Sequence, residues 1–159
     1  MLKELTKEVH ELLIKSRYKI SFAESCTGGL LQKLITDNSG SSSYYEGGIV
    51  AYSDRVKKDL LSVPQNILSA NGAVSAECAL AMVMGIKRLT QADLCISITG
   101  IAGPTGGSKK KPVGTVWFGF DFAGEINIES ECFSGKREEV RAQAAIYVLE
   151  EIKKYLTRG

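Results

Sequence analysis

Apolar residues in this chain fall at helical spacing, then crowd into a short extended run, then return to helical spacing, and the alternation continues to the C-terminus. Leu2, Leu5, Val9, Leu12 and Leu13 make one face of an opening helix, and "YKISFAE" (18–24) follows as a strand. "CTGGLLQKLITD" (26–37) reads as a helix entered directly from that strand, with Ser25, Cys26 or Thr27 near its N-cap and Leu30, Leu31, Leu34 and Ile35 inward. After the loop "DNSGSSS" (37–43), "YYEGGIVAYS" (44–53) predicts a second strand, in which Gly47 and Gly48 mark a bulge or a close backbone approach. "DRVKKDLLSV" (54–63) predicts a short helix capped by Asp54 and stopped by Pro64. A further helix covers roughly 75–90, capped by Ser75 with Ala79, Leu80, Val83 and Ile86 inward.

"ADLCISITG" (92–100) is a buried-looking strand that runs straight into the glycine-rich loop "IAGPTGGSKKKP" (101–112). "VGTVWFGFDF" (113–122) and "GEINIESECF" (124–133) alternate as an antiparallel pair turning at Ala123 and Gly124, with Trp117 and Phe118 assigned to the core. A long helix from about 137 carries Val140, Ala144, Val148, Leu149, Ile152 and Leu156 inward. Strands interleaved with helices predict an α/β fold, a three-layer α/β/α sandwich with a mixed sheet. A chain of 159 residues, 44% apolar, has the size of one domain spanning 1–159 with a substantial core.

A formal charge of +2, with no block of one sign longer than "SKKK" (108–111), gives no ground for nucleic acid as a partner. Cys26, Cys78, Cys95 and Cys132 form no CxxC pair and read as reduced intracellular thiols. The charged N-terminal helix is unlike a secretory leader, and no apolar run approaches the roughly 18 residues a membrane span needs. A soluble, cytoplasmic protein is expected. Its single histidine and scattered carboxylates argue against a catalytic metal.

Chemistry concentrates at two places. A serine in a strand-to-helix turn has exposed geometry, and the amides of Cys26, Thr27, Gly28 and Gly29 could face negative charge developing beside Ser25. The plainer alternative is that Ser25 or Thr27 caps the helix and the two glycines allow close packing. His10 lies away from the leucine face of the first helix and reads as a solvated residue, which disfavours a Ser-His-Asp triad. A lysine made neutral by burial or a neighbouring cation is the alternative base. Lys57, close after the second strand and Tyr52, is attractive, with Arg55 and Lys58 as nearby charges; a solvent-facing helix lysine is its plainer reading. Cys26 competes with Ser25 as nucleophile. In the second place, "TGIAGPTGG" (99–107), backbone donors with the hydroxyls of Thr99, Thr105 and Ser108 suit a phosphate or carboxylate, although the pattern is neither a Walker A loop nor a dinucleotide fingerprint. Arg137 and Arg141, one helical turn apart, also suit a phosphate.

Six blocks taken in order, "AESCTGG" (23–29), "GGIVAYSDRVK" (47–57), "NGAVS" (71–75), "TGIAGPTGG" (99–107), "KPVGTVWF" (111–118) and "FSGKREEVRAQA" (133–144), resemble the CinA C-terminal domain family, from about residue 5 to 156. The resemblance implies a three-layer fold similar to anticodon-binding-domain architectures, a homodimer, and hydrolysis of the carboxamide of nicotinamide mononucleotide to nicotinate mononucleotide and ammonia, without metal or other cofactor. It implies Ser25 as nucleophile, Lys57 as base and Tyr52 as the residue that positions or relays the proton. It also implies substrate contacts from Cys26, Thr27, Gly28, Gly29, Thr99, Gly100, Gly103, Gly106 and an arginine of the final block, Arg137 or Arg141. Asp54 stands where the family more often has Asn. The rival reading is a non-catalytic nucleotide-binding or regulatory module linked to competence or DNA damage.

Overall fold

The computed structural model describes residues 1–158. Its strands are β1 (Ile20–Glu24), β2 (Tyr45–Val50), β3 (Leu94–Gly100), β4 (Thr115–Phe122) and β5 (Glu125–Cys132). Its helices are α1 (Leu2–Ser16), α2 (Leu30–Thr36), α3 (Asp54–Leu61), α4 (Gln65–Asn71), α5 (Ala76–Thr90) and α6 (Arg137–Thr157). The strands form one sheet in the order β2-β1-β3-β4-β5. β1 pairs in parallel with β2 and β3, while β3 with β4 and β4 with β5 are antiparallel, so the sheet is mixed.

Side chains alternate across each strand, and the two faces carry different sizes. Phe22, Ile96, Phe118 and Phe120 face α1, α2 and α6, where they meet Val9, Leu13, Leu31, Ile35, Ala144 and Val148 in a buried cluster. Ala23 and Cys95 face the other way, toward Leu61 of α3, Leu68 of α4 and Met82, Val83 and Ile86 of α5. Small residues on that face let α5 press close: the Ser97 hydroxyl donates to the Ala79 carbonyl at 2.7 Å. Burial of each large aliphatic side chain contributes roughly 1.5–3 kcal/mol. The result is the expected α/β/α sandwich.

Local chemistry moves several boundaries. α2 begins at Leu30 with Gly29 as its N-cap, so Ser25, Cys26 and Thr27 lie in a turn ahead of the helix and do not cap it. The side chain that satisfies the first amides of α2 is Glu24, whose carboxylate accepts from the amides of Leu31 and Gln32, both at 3.1 Å. α3 is capped by Ser53, not Asp54: the Ser53 hydroxyl accepts from the Val56 amide. α3 ends at Ser62 in the left-handed region, and Pro64 instead caps α4, a helix the apolar pattern did not mark. β2 is shorter than expected and pairs irregularly opposite Ile20 and Ser21. A Cβ on Gly48 would lie 2.6 Å from the Phe22 carbonyl oxygen, so the close backbone approach is real. The Ser75 cap of α5 holds. Trp117 is only half-buried, since it points away from the aromatic face that holds Phe118. His10 is also half-buried, hydrogen-bonded through Nδ1 to the Tyr44 hydroxyl at 2.7 Å. Among the described residues no helix is long and apolar enough to cross a membrane, and the four cysteines are unpaired.

Candidate active site

The chain leaves β1 toward β2 on one side of the sheet and reaches β3 on the other, with α2 and the α3–α5 segment covering opposite faces. Connections that diverge this way leave a crevice at the carboxyl ends of the parallel strands. Three segments converge there: the turn after β1 with Ser25, the β2–α3 junction with Tyr52 and Lys57, and the glycine-rich loop after β3.

The turn after β1 is built from its two glycines. Gly28 and Gly29 have φ of 59° and 98°, left-handed values that cost other residues roughly 1–2 kcal/mol and that reverse the backbone between strand and helix. The Ser25 amide donates to the Ile98 carbonyl at 2.9 Å, and the Gly28 amide closes the turn on the Ser25 carbonyl at 3.0 Å. Gly28 is therefore not the free donor that the sequence suggested. The amides of Cys26, Thr27 and Gly29 donate to no backbone carbonyl among the described residues.

Lys57 lies in the first turns of α3, and its side chain is 1% exposed. Its Nζ lies 2.9 Å from Ser25 Oγ and donates to the Tyr52 carbonyl, also at 2.9 Å. None of the six ion pairs among the described residues includes it. Burial lowers its pKa below the ordinary lysine value, against smaller opposing effects from Cys78, Asp54 and Cys26. Arg55 and Lys58, the expected sources of charge, are exposed and turned away. Burial acts on Cys26 in the opposite sense, pushing its thiol up to about 12, so no thiolate competes with the serine.

Tyr52 meets Lys57 through its backbone. Its ring is 58% exposed, and its hydroxyl accepts from Arg137 Nη2 at 2.8 Å. Arg137 Nη1 donates to the Gly103 carbonyl at 2.8 Å, so one guanidinium ties the β2–α3 junction to the glycine-rich loop. Arg141, a turn further along α6, donates to the Thr27 carbonyl at 2.9 Å. A Cβ on Gly28 would stand 3.2 Å from that guanidinium, so glycine also leaves room for Arg141.

This arrangement of serine turn, buried lysine and paired arginines spans the sequence blocks in order, and the CinA C-terminal domain matches residues 2–156. The chain belongs to the CinA C-terminal domain family. It is 45% identical over 152 residues to the nicotinamide-nucleotide amidohydrolase PncC of Escherichia coli K12, covering 95% of this chain and 92% of that protein. A CinA-like protein of Thermotoga sp. strain RQ2 is 45% identical over 154 residues, but the match covers 38% of its length. A CinA superfamily protein from Klebsiella pneumoniae superposes with a TM-score of 0.94 at 37% identity, covering 98% of each chain.

The other positions implied by the resemblance to the CinA C-terminal domain family fall at the same edge with mixed tasks. The buried Thr99 hydroxyl donates to the Ala73 carbonyl at 2.8 Å, tying β3 to the segment before α5. Gly100 is at the crowded end of β3, where a Cβ would lie 2.8 Å from the Thr115 carbonyl oxygen. Gly103 presents its carbonyl to Arg137, and Gly106 is in the exposed part of the loop. Glu24 was missed: it is fully buried beside the serine and also accepts from Gln32 Nε2 at 3.0 Å. Its only mark in the sequence is a carboxylate ending an apolar strand. Among the described residues no group of three His, Cys, Asp or Glu side chains is placed to hold a metal ion.

Proposed function

We propose that this chain is an amidohydrolase that converts nicotinamide mononucleotide to nicotinate mononucleotide and ammonia, working in pyridine nucleotide recycling as one cytoplasmic, homodimeric domain over 1–159. The observation that carries the reading is a buried lysine amine, in no ion pair among the described residues, 2.9 Å from a serine hydroxyl. The activity named for the E. coli relative supports the substrate.

Ser25 Oγ attacks the carboxamide carbon while its proton passes to the neutral Nζ of Lys57. The carbonyl oxygen becomes an oxyanion beside the amides of Cys26 and Thr27. The Lys57 ammonium then protonates the departing nitrogen, ammonia leaves, and an ester to Ser25 remains. Water, deprotonated by Lys57, attacks the ester and releases the carboxylic acid and the serine. The Tyr52 carbonyl holds Nζ in line throughout, while the Tyr52 hydroxyl and Arg137 border the entrance. The substrate phosphate is read by Arg137 with the glycine-rich loop. No cofactor or nucleic acid enters the reaction.

Purified protein incubated with nicotinamide mononucleotide should release ammonia and nicotinate mononucleotide in equal amounts. Folded protein that binds the mononucleotide and releases no ammonia would instead be a nucleotide-binding module.

A further inference from the structure

Three lysines close the glycine-rich loop, and only one turns inward. Lys109 and Lys110 are exposed, whereas Lys111 is half-buried and its ammonium donates to the Asn71 carbonyl at 2.6 Å, at the end of α4. Gly72 follows with no side chain, and a Cβ there would stand 3.4 Å from Nζ, so the amine lies close against the backbone of this segment. The same short segment receives the Thr99 hydroxyl at Ala73, which joins it to the end of β3 and hence to the crevice.

Buried Cys78, near the start of α5, feels the charges of both Lys57 and Lys111. The two amines thus act on one thiol from different elements, α3 and the loop. Lys111 makes no hydrogen bond to Ser25 or Lys57 among the described residues, so it takes no part in the reacting pair. At the start of the loop, Arg137 holds the Gly103 carbonyl. Both cations keep unused donors: an ammonium has three N–H groups and a guanidinium five, of which Lys111 uses one and Arg137 two in the contacts described. A phosphate monoester dianion calls for such paired, charged donors at a distance from the bond being cut.

We propose that Lys111 is a specificity-determining residue that binds the phosphate of the mononucleotide, opposite Arg137 across the glycine-rich loop. The proposal rests on the amidohydrolase reading above. It separates Lys111 from Lys109 and Lys110, which carry the same charge and belong to the solvated part of the loop. It also separates phosphate reading from a purely structural task, in which the Lys111 cation only satisfies the C-terminal carbonyls of α4.

The test compares Lys111→Met, Lys111→Arg and the double variant Lys109→Gln/Lys110→Gln, with ammonia release measured on nicotinamide mononucleotide and on its phosphate-free riboside. Lys111→Met should raise KM for the mononucleotide at least about tenfold, with kcat and the riboside KM little changed, as loss of a charge-assisted contact predicts. Lys111→Arg should recover most of the loss, and the double variant should behave as wild type. An equal rise for both substrates, or a fall in melting temperature with no difference between them, would overturn the proposal and leave Lys111 as a cap of α4. If the wild type releases no ammonia from either substrate, the amidohydrolase reading fails. Calorimetric titration with the mononucleotide and the riboside then decides the phosphate contact: a preference for the mononucleotide lost in Lys111→Met supports it, and equal affinities overturn it.

Discussion

Lys57 Nζ and Ser25 Oγ lie 2.9 Å apart although 32 residues separate them in sequence. Parallel pairing of β1 with β2 brings Glu24 opposite Val50, and the Ala51 amide donates to the Glu24 carbonyl at 2.8 Å. Both chains therefore leave the sheet at one edge, one into the serine turn and the other into α3. The Ser53 cap sets the rotation of α3, so Lys57 points inward and Lys58, about 100° round the helix, points to solvent.

Ser25→Ala should abolish ammonia release while the mononucleotide still binds, because the attacking oxygen is lost and the charged contacts are not. Cys26→Ala should keep most activity, since burial pushes that thiol up to about 12 and leaves it protonated. Steady-state assays with calorimetric binding decide this, and the reverse ranking would transfer the nucleophile to Cys26.

The lowered pKa of Lys57 has a sign that kinetics can read. Below that pKa the amine is an ammonium and cannot take the serine proton, so kcat/KM should rise with pH through it and level off above it. The midpoint should fall below the ordinary lysine value of about 10.4. Lys57→Arg should be as inactive as Lys57→Ala, because guanidinium keeps the charge and supplies no base. Substantial turnover by the arginine variant would reduce Lys57 to an electrostatic role.

Glu24→Gln should destabilise the fold. The carboxylate accepts from three N–H groups in a fully buried place, and an amide turns one acceptor into a donor facing another donor. One unsatisfied buried pair costs roughly 1–3 kcal/mol, and thermal denaturation should show a fall of several degrees. An unchanged melting temperature would mean that the cap is dispensable.

The two arginines should separate kinetically. Arg141 holds the carbonyl of Thr27 in the serine turn, so Arg141→Ala should lower kcat for mononucleotide and riboside alike. Arg137 is exposed at the entrance between Gly103 and Tyr52, so Arg137→Ala should mainly raise KM for the phosphorylated substrate. Equal effects of the two variants on both substrates would remove phosphate reading from Arg137.

Much of this was legible in the chain itself, because it depends on short-range pattern. The period of the apolar residues marks β1, β3 and α6, the dipeptide Ala123-Gly124 marks the β4–β5 turn, and Ser75 marks the start of α5. The order of the blocks around Ser25, Lys57 and Arg137 carries the family resemblance. α4 escaped because its seven residues are too few for a periodic signal and Pro64 reads equally as a stop and a start.

Tertiary structure decided what depends on long-range neighbours. A serine before two glycines looks like a helix cap until a buried carboxylate, brought to the same helix end from within β1, takes that role and leaves the hydroxyl to face Lys57. No pattern along the chain distinguishes Lys57 from Lys58, or Lys111 from Lys109 and Lys110; burial against other elements does. Local periodicity determines which residues form strands and helices, because it follows from backbone geometry over a few residues. The protonation and partners of a side chain depend on how much water the packed elements exclude around it, and that exists only once the sheet and its two helical layers have met.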